Sequence, residues 1–211
     1  MNEALRHAVR SALTLALFAL AFTALLAATH GCTRQRIEAE ATAMRRAELA
    51  RVLPAGGFDN DLTRDTLPLS AADNARLGRQ GAGVIHLARR KGQPVAAVLE
   101  LTAPDGYAGP IELLVGVAAD GTVLGVRVLS HKETPGLGDY IEPAKSPWAS
   151  QFRGRSLNEP APEDWAVRRD GGVFDARAGA TITPRAIVRA LRAALELTAE
   201  RRGQWFGVPH A

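Results

Sequence analysis

The chain has 211 residues, and 46% of them are hydrophobic, which is enough for one globular domain with a sizeable core. Its 26 Lys and Arg residues exceed its 22 Asp and Glu residues by four, and no basic stripe interleaved with aromatic residues occurs in the sequence. This composition argues against a nucleic-acid-binding protein. The single cysteine, Cys32, excludes an intramolecular disulfide.

The first predicted element is an apolar helix near the N-terminus. Ser11–Thr29 is a 19-residue run without a charge, and as a helix it would be roughly 28 Å long, close to the ~30 Å of a bilayer core. We predict a retained membrane anchor over residues 11–30, preceded by a cytoplasmic tail over residues 1–10. Two alternatives stay open: a signal peptide cleaved near Ala28, and a lipoprotein modified on Cys32.

The charges that flank this helix do not decide its orientation. Arg6 and Arg10 precede it, whereas Arg34 and Arg36 follow it, and the positive-inside rule places the flank richer in Lys and Arg in the cytoplasm. A short N-terminal tail is more easily retained inside than a large folded domain. We therefore expect the C-terminal domain on the periplasmic side of the bacterial inner membrane.

Residues 31–80 are predicted to form a helix followed by a connector. Arg34–Val52 is rich in Ala, Glu, Met, Arg and Leu and lacks Gly and Pro, so it is predicted to be helical. The Pro54–Gly57 segment should end that helix. The polar stretch from there to Gln80 is expected to have little structure of its own.

Residues 81–211 are predicted to fold as an α+β domain, with a small, mainly antiparallel sheet and packed helices. Four strand candidates come in two pairs, each joined by a short turn. The pairs are Val84–Leu87 with Val95–Leu99, and Ile111–Val117 with Thr122–Leu129. A third hairpin is predicted around Asp170-Gly171-Gly172.

A final helix is predicted over Pro184–Glu200. Thr183 is a favourable N-cap residue, and proline is favourable in the first helical turn. The apolar residues recur at spacings of three and four positions and should form the buried face. They are Ile187, Val188, Leu191, Ala194 and Leu195.

Residues 130–139 follow a predicted strand and have the chemistry of a tight turn. Pro135 presets one backbone dihedral and Gly136 accepts a positive φ. Gly136 and Gly138 also allow the backbone to approach a flat or phosphorylated ligand closely, although an ordinary surface turn would explain the same residues. The His131-Lys132-Glu133 tripeptide resembles part of a metal or acid–base pair, but no second ligand cluster accompanies it, so we predict no metal site.

A second segment, Asp175–Pro184, brings small residues to the N-terminus of the predicted final helix. Unpaired amides and the helix dipole stabilise an anion such as a phosphate at such a place, and Arg177 or Arg185 would reinforce it. A plain loop into a helix is the alternative. These residues by themselves do not identify a flavin.

The same segment resembles the flavinylation motif Asp-x-x-(Ser/Thr)-Gly-Ala-Thr of FMN-binding domains. It occurs here as Asp175–Thr181, with Ala178 where Ser or Thr is usual. His131–Ile141 and parts of Lys145–Phe152 resemble the stretch typical of the G subunit of Rnf-type electron-transport complexes. The likeness covers roughly Gly106–Leu197 and extends to the C subunit of the sodium-pumping NADH:quinone oxidoreductase.

This resemblance implies a covalent FMN that is esterified through its phosphate to Thr181. A threonine hydroxyl is a poor nucleophile and no dedicated base is evident nearby, so a separate flavin transferase is implied, with FAD as the donor in related systems. The Thr134–Gly138 turn would lie near the isoalloxazine ring, with Leu137 against it. The implied cofactor-binding residues are Thr134, Pro135, Gly136, Leu137, Gly138, Gly179, Ala180, Thr181 and Thr183.

The resemblance further implies an electron-transfer subunit of a membrane complex that couples electron transfer between ferredoxin and NAD to ion translocation. Its partners would be the other membrane subunits, and the chain alone would not be a complete enzyme. Two other functions stay open. One is a membrane-tethered, flavin-binding sensory or regulatory module. The other is a structural assembly subunit with a vestigial flavin site, which the departure at Ala178 suggests.

Overall fold

The computed structural model describes residues 3–207 and confirms an α+β fold. Five strands form one antiparallel sheet, in which they neighbour each other in chain order. The strands are β1 (Thr66–Pro68), β2 (Val84–Arg90), β3 (Gln93–Ala103), β4 (Ile111–Ala118) and β5 (Val123–Ser130). The α-helices are α1 (Glu3–Ala50), α2 (Ala71–Arg76) and α3 (Ile182–Phe206). Between β5 and α3 lie four short 3-10 helices: Asp139–Ile141, Trp148–Phe152, Pro162–Asp164 and Arg168–Asp170.

The α1 helix is continuous over both the predicted anchor and the helix predicted from Arg34 onward. The junction contains Gly31, which costs about 1 kcal/mol relative to alanine but does not break a helix. From Leu5 onward α1 is long and apolar enough to cross a membrane. Its large apolar side chains between Leu13 and Leu26 are 57–71% exposed, which suits a lipid-facing surface.

The chain divides into two compact units, Met1–Arg45 and Arg46–Ala211. The second unit contains the whole sheet, α2 and α3. The C-terminal turn of α1 also belongs to this unit, and α1 ends at Ala50, four residues before Pro54. The predicted boundaries at residues 30 and 80 stay predictions.

The stretch between α1 and β2 has more structure than the sequence indicated. β1 pairs with β2 at the edge of the sheet, with Leu67 opposite Ile85. The short α2 helix begins after Ser70, whose hydroxyl accepts a hydrogen bond from the Asp73 amide at 3.1 Å. The expectation that this connector has little structure of its own is therefore wrong for residues 66–76. Both elements are too short for a periodic pattern to reveal them.

The two predicted hairpins of the sheet are confirmed. β2 and β3 are joined at Lys91 and Gly92, which have positive φ values of 51° and 79°, as a type I′ turn requires. β4 and β5 are joined around Gly121, whose φ is 92°. The Asp120 side chain accepts a hydrogen bond from the Thr122 amide in this turn, at 2.8 Å.

The third predicted hairpin is wrong. Arg168–Asp170 forms a 3-10 turn instead, and Val167 pairs with Phe174 in an isolated parallel bridge. The chain coils tightly here, which lets Trp165 and Phe174 both enter the core, where their ring centroids lie 4.8 Å apart. Burial of two large rings therefore decides the local path of the chain.

Both faces of the sheet are covered. The predicted apolar face of α3 is confirmed, since all five of its residues are at most 2% exposed and belong to the larger core cluster. The opposite face is covered by residues that precede β1 and contact the outer side chains of the strands. This second cluster consists of Leu49, Val52, Leu53, Leu62, Ala88, Ala96, Val98 and Leu114.

Candidate functional site

A cavity of about 320 Å³ lies at the N-terminus of α3. Three segments line it: the loop after β5, the loop before α3 together with the first turn of α3, and the loop between β3 and β4. The lining residues are Tyr107, Glu133, Thr134, Leu137, Gly138, Gly179, Ala180, Thr181, Ile182 and Thr183. A concave site of this size is at the lower end of the range for small-molecule sites.

The structure brings the two predicted site segments together at this cavity. Seven of the nine predicted residues line it: Thr134, Leu137, Gly138, Gly179, Ala180, Thr181 and Thr183. Gly136 lines a second groove instead, together with Tyr140, Trp148 and Arg177. Pro135 is exposed in the same turn as Gly136.

The loop after β5 is a turn with proline and glycine at its central positions. The amides of Leu137 and Gly138 both donate to the Thr134 carbonyl, at 3.1 and 3.0 Å. Gly136 has a φ of 77°, as the second central residue of a type II turn requires. A Cβ atom on Gly138 would lie 2.9 Å from the Cβ of Glu133, so only glycine fits without displacement. The turn leaves Leu137 52% exposed.

The loop before α3 contains a second tight turn, Arg177–Ala180. The Ala180 amide donates to the Arg177 carbonyl at 3.1 Å, and Gly179 has a φ of 83°. The glycine of the motif therefore occupies a backbone conformation that other residues rarely adopt. Ala178, where the motif usually has Ser or Thr, is exposed in this turn. Thr181 follows the turn and is half-buried.

The start of α3 differs from the prediction. The helix begins at Ile182, with Thr181 in the N-cap position, so the prediction that Thr183 caps it is wrong. Thr183 is 1% exposed, and its hydroxyl donates to the carboxylate of Glu133. Pro184 still lies in the first turn, where its missing N–H costs nothing. Thr181 makes no side-chain capping bond, which leaves its hydroxyl available at the cavity.

Backbone amides at this helix start point to an anion site. Among residues 3–207, no acceptor binds the amides of Thr181, Ile182 and Thr183. All three residues line the cavity. Unpaired amides and the positive end of the helix dipole both stabilise a phosphate or carboxylate at such a place.

The two arginines predicted to reinforce an anion differ in their surroundings. Arg185 forms two hydrogen bonds to the Asp170 carboxylate, at 2.6 and 2.7 Å. These bonds raise the pKa of Arg185 and lower that of Asp170. Arg177 is exposed, and its guanidinium carbon lies 6.0 Å from the centre of the Tyr140 ring. Neither arginine lines the cavity at the start of α3, and Arg177 lines the second groove instead.

Glu133 is a buried carboxylate that joins the three segments of the site. It is 4% exposed and accepts hydrogen bonds from the Thr183 hydroxyl and from the Ala108 amide, the latter at 3.0 Å. Its own amide donates to Nδ1 of His131, also at 3.0 Å. One side chain thus ties the loop after β5 to the start of α3 and to the β3–β4 loop.

His131 and Glu133 do not point at a common ligand. Because Nδ1 of His131 accepts the Glu133 amide, Nε2 carries the proton of the neutral ring, and it lies 2.9 Å from the Glu142 carboxylate. Lys145 contacts Glu142 and Asp139 at 2.7 and 2.8 Å, and these hydrogen bonds lower the pKa of both carboxyl groups. Within residues 3–207, no three His, Cys, Asp or Glu side chains are grouped to hold a metal.

Two residues of the cavity mouth are not among the predicted ones. Tyr107 is 68% exposed and Ile182 is 45% exposed, and both line the cavity together with Leu137. The mouth of the cavity is therefore apolar, while the helix start beside it is polar. An aromatic residue directly after Asp105-Gly106, between two predicted strands, was a signal that could have indicated Tyr107.

Comparison with known proteins identifies the family. The FMN-binding domain family matches residues 106–196, and the RnfG N-terminal region matches residues 1–52. The chain is 51% identical over 191 residues to the G subunit of the ion-translocating oxidoreductase complex of Pseudomonas aeruginosa, which covers 90% of this chain and 88% of that protein. This chain belongs to the RnfG family of ion-translocating oxidoreductase subunits.

A second relative agrees with this assignment, and a solved structure shares the fold. The corresponding G subunit of Cereibacter sphaeroides is 48% identical over 194 residues, or 92% of this chain and 85% of that protein. The crystal structure of Shewanella oneidensis NqrC has the same fold, with a TM-score of 0.58 at 18% identity over 81% of this chain and 100% of that chain. All lining residues of the cavity in this RnfG-family chain fall within its FMN-binding domain.

Proposed function

We propose that this RnfG-family chain carries one FMN, esterified through its phosphate to Thr181, and acts as an electron carrier in a membrane complex. The observation that carries this proposal is the position of Thr181, whose hydroxyl makes no capping bond and lies beside unpaired amides at the start of α3. A phosphate ester at this place gains hydrogen bonds and a favourable dipole. The flavinylation motif supports the same residue, which lies within the matched FMN-binding domain.

The surroundings of Thr181 suit a flat aromatic group. Exposed apolar surface at the cavity mouth is offered by Leu137, Tyr107 and Ile182. An isoalloxazine ring packed against these side chains would remove their apolar surface from solvent. Glu133 and Thr134 add polar groups on the same cavity wall. Bound FMN would supply one- and two-electron chemistry that the side chains of this cavity do not offer.

Attachment of the flavin requires a second enzyme in this proposal. Glu133 is the one carboxylate among the residues that line the cavity, and it already binds the Thr183 hydroxyl and the Ala108 amide. Thr181 therefore has no dedicated base to activate its hydroxyl. We expect a flavin transferase that uses FAD to provide this activation.

The chain fits a relay rather than a complete enzyme. Its sequence has one cysteine, so it lacks the thiolates that hold an iron–sulfur cluster, and the FMN would be its electron carrier. The relatives are named for an ion-translocating oxidoreductase complex. We propose that the other membrane subunits of such a complex deliver and remove the electrons, between ferredoxin and NAD overall.

Denaturing electrophoresis tests the proposal directly. The full-length chain, produced together with a flavin transferase, should keep yellow flavin fluorescence after denaturation, and peptide mass spectrometry should find FMN less one water on the Asp175–Thr181 segment. A non-fluorescent chain that still assembles with its partner subunits would favour a structural subunit with a vestigial site. A fluorescent chain that never co-purifies with membrane subunits would favour a sensory module.

We expect the FMN-binding domain on the periplasmic face of the inner membrane. The apolar part of α1 suffices for one span, and the family likeness favours export of the folded domain. Protease added to intact spheroplasts should then digest residues 46–211, while a cytoplasmic marker protein stays protected. Digestion that begins only after lysis of the membrane would reverse this topology.

We expect Gly136→Val to disturb the flavin spectrum while leaving most of the covalent attachment intact. Gly136 has a φ of 77°, and a β-branched residue strains such a backbone by about 1–2 kcal/mol. Gly154→Val is a matched control, because Gly154 has a similar φ of 80°. Gly154 does not line the cavity, and its amide donates to the Val123 carbonyl at the start of β5. Identical visible spectra and reduction rates in the two variants would remove the Thr134–Gly138 turn from the flavin site.

A further inference from the structure

The backbone of the flavinylation motif is held from one side by a segment that precedes it in the chain. At Asp175 both backbone groups are bound by side chains of the Trp148–Phe152 helix. The Trp148 indole N–H donates to the Asp175 carbonyl at 2.6 Å. The Gln151 side-chain oxygen accepts the Asp175 amide at 2.7 Å. The backbone of Asp175, where the motif begins, is therefore held at both its amide and its carbonyl.

A third side chain, Tyr140, binds the middle of the motif. Its hydroxyl accepts a hydrogen bond from the Arg177 amide at 3.2 Å and donates to the Ala180 carbonyl at 3.3 Å. These bonds are longer than those at Asp175, so we rank them second in strength. Burial raises the pKa of Tyr140, so the hydroxyl keeps the proton that it donates.

Two of these three side chains, Tyr140 and Trp148, are themselves packed against the core. The rings of Tyr140 and Trp148 meet edge to face at 5.7 Å, and Trp148 meets Phe152 at 5.2 Å. Phe152 is fully buried. Tyr140 and Trp148, which bind the motif backbone, are thus joined through ring contacts to the buried Phe152. These contacts restrict the movement of an otherwise exposed loop.

This arrangement leaves the side chains of the motif that a modifying enzyme could contact exposed to solvent. The Asp175 side chain is 64% exposed and lies 2.9 Å from Nε of Arg168, which is itself exposed. Arg177 is exposed, and the Thr181 hydroxyl makes no capping bond. A modifying enzyme that binds a preformed loop loses less conformational entropy than one that must order a flexible segment. It also receives the hydroxyl in a fixed place, on which the rate of group transfer depends strongly.

We propose that Trp148, Gln151 and Tyr140 are positioning residues for flavinylation, because they hold the Asp175–Thr181 backbone in the form that the flavin transferase accepts. The inference rests on the proposed attachment at Thr181. In that reaction the Thr181 oxygen attacks the FMN-side phosphorus of FAD and forms a new P–O bond. The P–O bond of the pyrophosphate breaks, AMP leaves with the electron pair, and the hydroxyl proton passes to a base of the transferase.

The test uses full-length chain made without flavin, in detergent, with purified flavin transferase, FAD and Mg²⁺. Initial rates of flavin incorporation are measured against the concentration of the chain. Trp148→Phe removes the indole donor but keeps a ring, and Gln151→Met removes the amide acceptor at similar volume. We expect kcat/KM to fall by roughly tenfold or more in each, as a small misplacement of a reacting group implies, and Tyr140→Phe to show a smaller loss.

Ile85→Val is the control for lost stability alone. Ile85 is fully buried on β2, and loss of one methylene there weakens the domain about as much as loss of one hydrogen bond. This variant should accept flavin as the wild type does. Trp148→Phe and Gln151→Met chains that react as fast as Ile85→Val would overturn the inference. A wild-type chain that takes no flavin, or takes it on another residue, would instead overturn the proposed attachment site.

Discussion

Thr181→Ala should abolish the covalent flavin and electron transfer through the chain, while the domain stays folded. The substitution removes the hydroxyl that stands at the acceptor position of the motif and beside the unpaired amides at the start of α3. Thr181 is half-buried and makes no capping bond, so the free energy of unfolding should change by no more than about 0.5 kcal/mol. Flavin fluorescence after denaturing electrophoresis measures the first effect and denaturant unfolding measures the second.

Thr183→Ala is the matched control, two positions along the chain. Thr183 is buried and donates to Glu133, so its removal should cost about 1.5–3 kcal/mol, as expected for a hydrogen bond to a charged group. The covalent flavin should nevertheless persist. FMN that survives in Thr181→Ala, or that maps to Thr183 by peptide mass spectrometry, would refute the assignment of Thr181.

Much of the sheet could be predicted because its signals are local. β2 to β5 are marked by runs of β-branched and aliphatic residues, and their turns carry glycine at the positions that need positive φ. The buried face of α3 follows equally from the spacing of residues such as Ile187 and Leu191. In each case one short window of sequence contains the whole physical reason for the element.

The helix start shows where local reasoning fails. Thr181 and Thr183 both have the chemistry of an N-cap, and Pro184 tolerates more than one position in the first turn. The choice depends on Glu133, which lies 50 residues earlier in the chain and binds Thr183. A contact at that separation leaves no trace in the pattern around the helix.

The cavity mouth shows the same limit on a larger scale. Tyr107 and Leu137 stand in two loops and Ile182 is the first residue of α3, and only the folded domain brings the three together. The resemblance to FMN-binding domains located the places of Leu137 and Ile182, because one motif contains the first and another directly precedes the second. Tyr107 stands in the β3–β4 loop, which has no such motif, and its place in the wall of the cavity follows from position alone.

Glu133→Leu should have the largest effect on stability of any substitution at this site. The variant removes the acceptor of the buried Thr183 hydroxyl and of the Ala108 amide, and each donor left unpaired costs about 1–3 kcal/mol. Since Ala108 adjoins Tyr107, the cavity mouth should loosen as well, and the visible spectrum of attached flavin should shift. Glu112→Leu is the control, because Glu112 is exposed on β4 and should tolerate the change.

A double-mutant cycle separates the Glu133–Thr183 contact from general damage to the core. Glu133→Gln keeps an acceptor for the Ala108 amide but weakens the bond to Thr183, and Thr183→Ala removes that bond from the other side. Because the two side chains touch, the effects should be non-additive by about 0.5–3 kcal/mol. The free energy of unfolding can be followed through tryptophan fluorescence, since Trp148, Trp165 and Trp205 all lie in the sheet-containing unit. Strict additivity would mean that Glu133 does not hold the start of α3, and the cavity would then need another explanation for its shape.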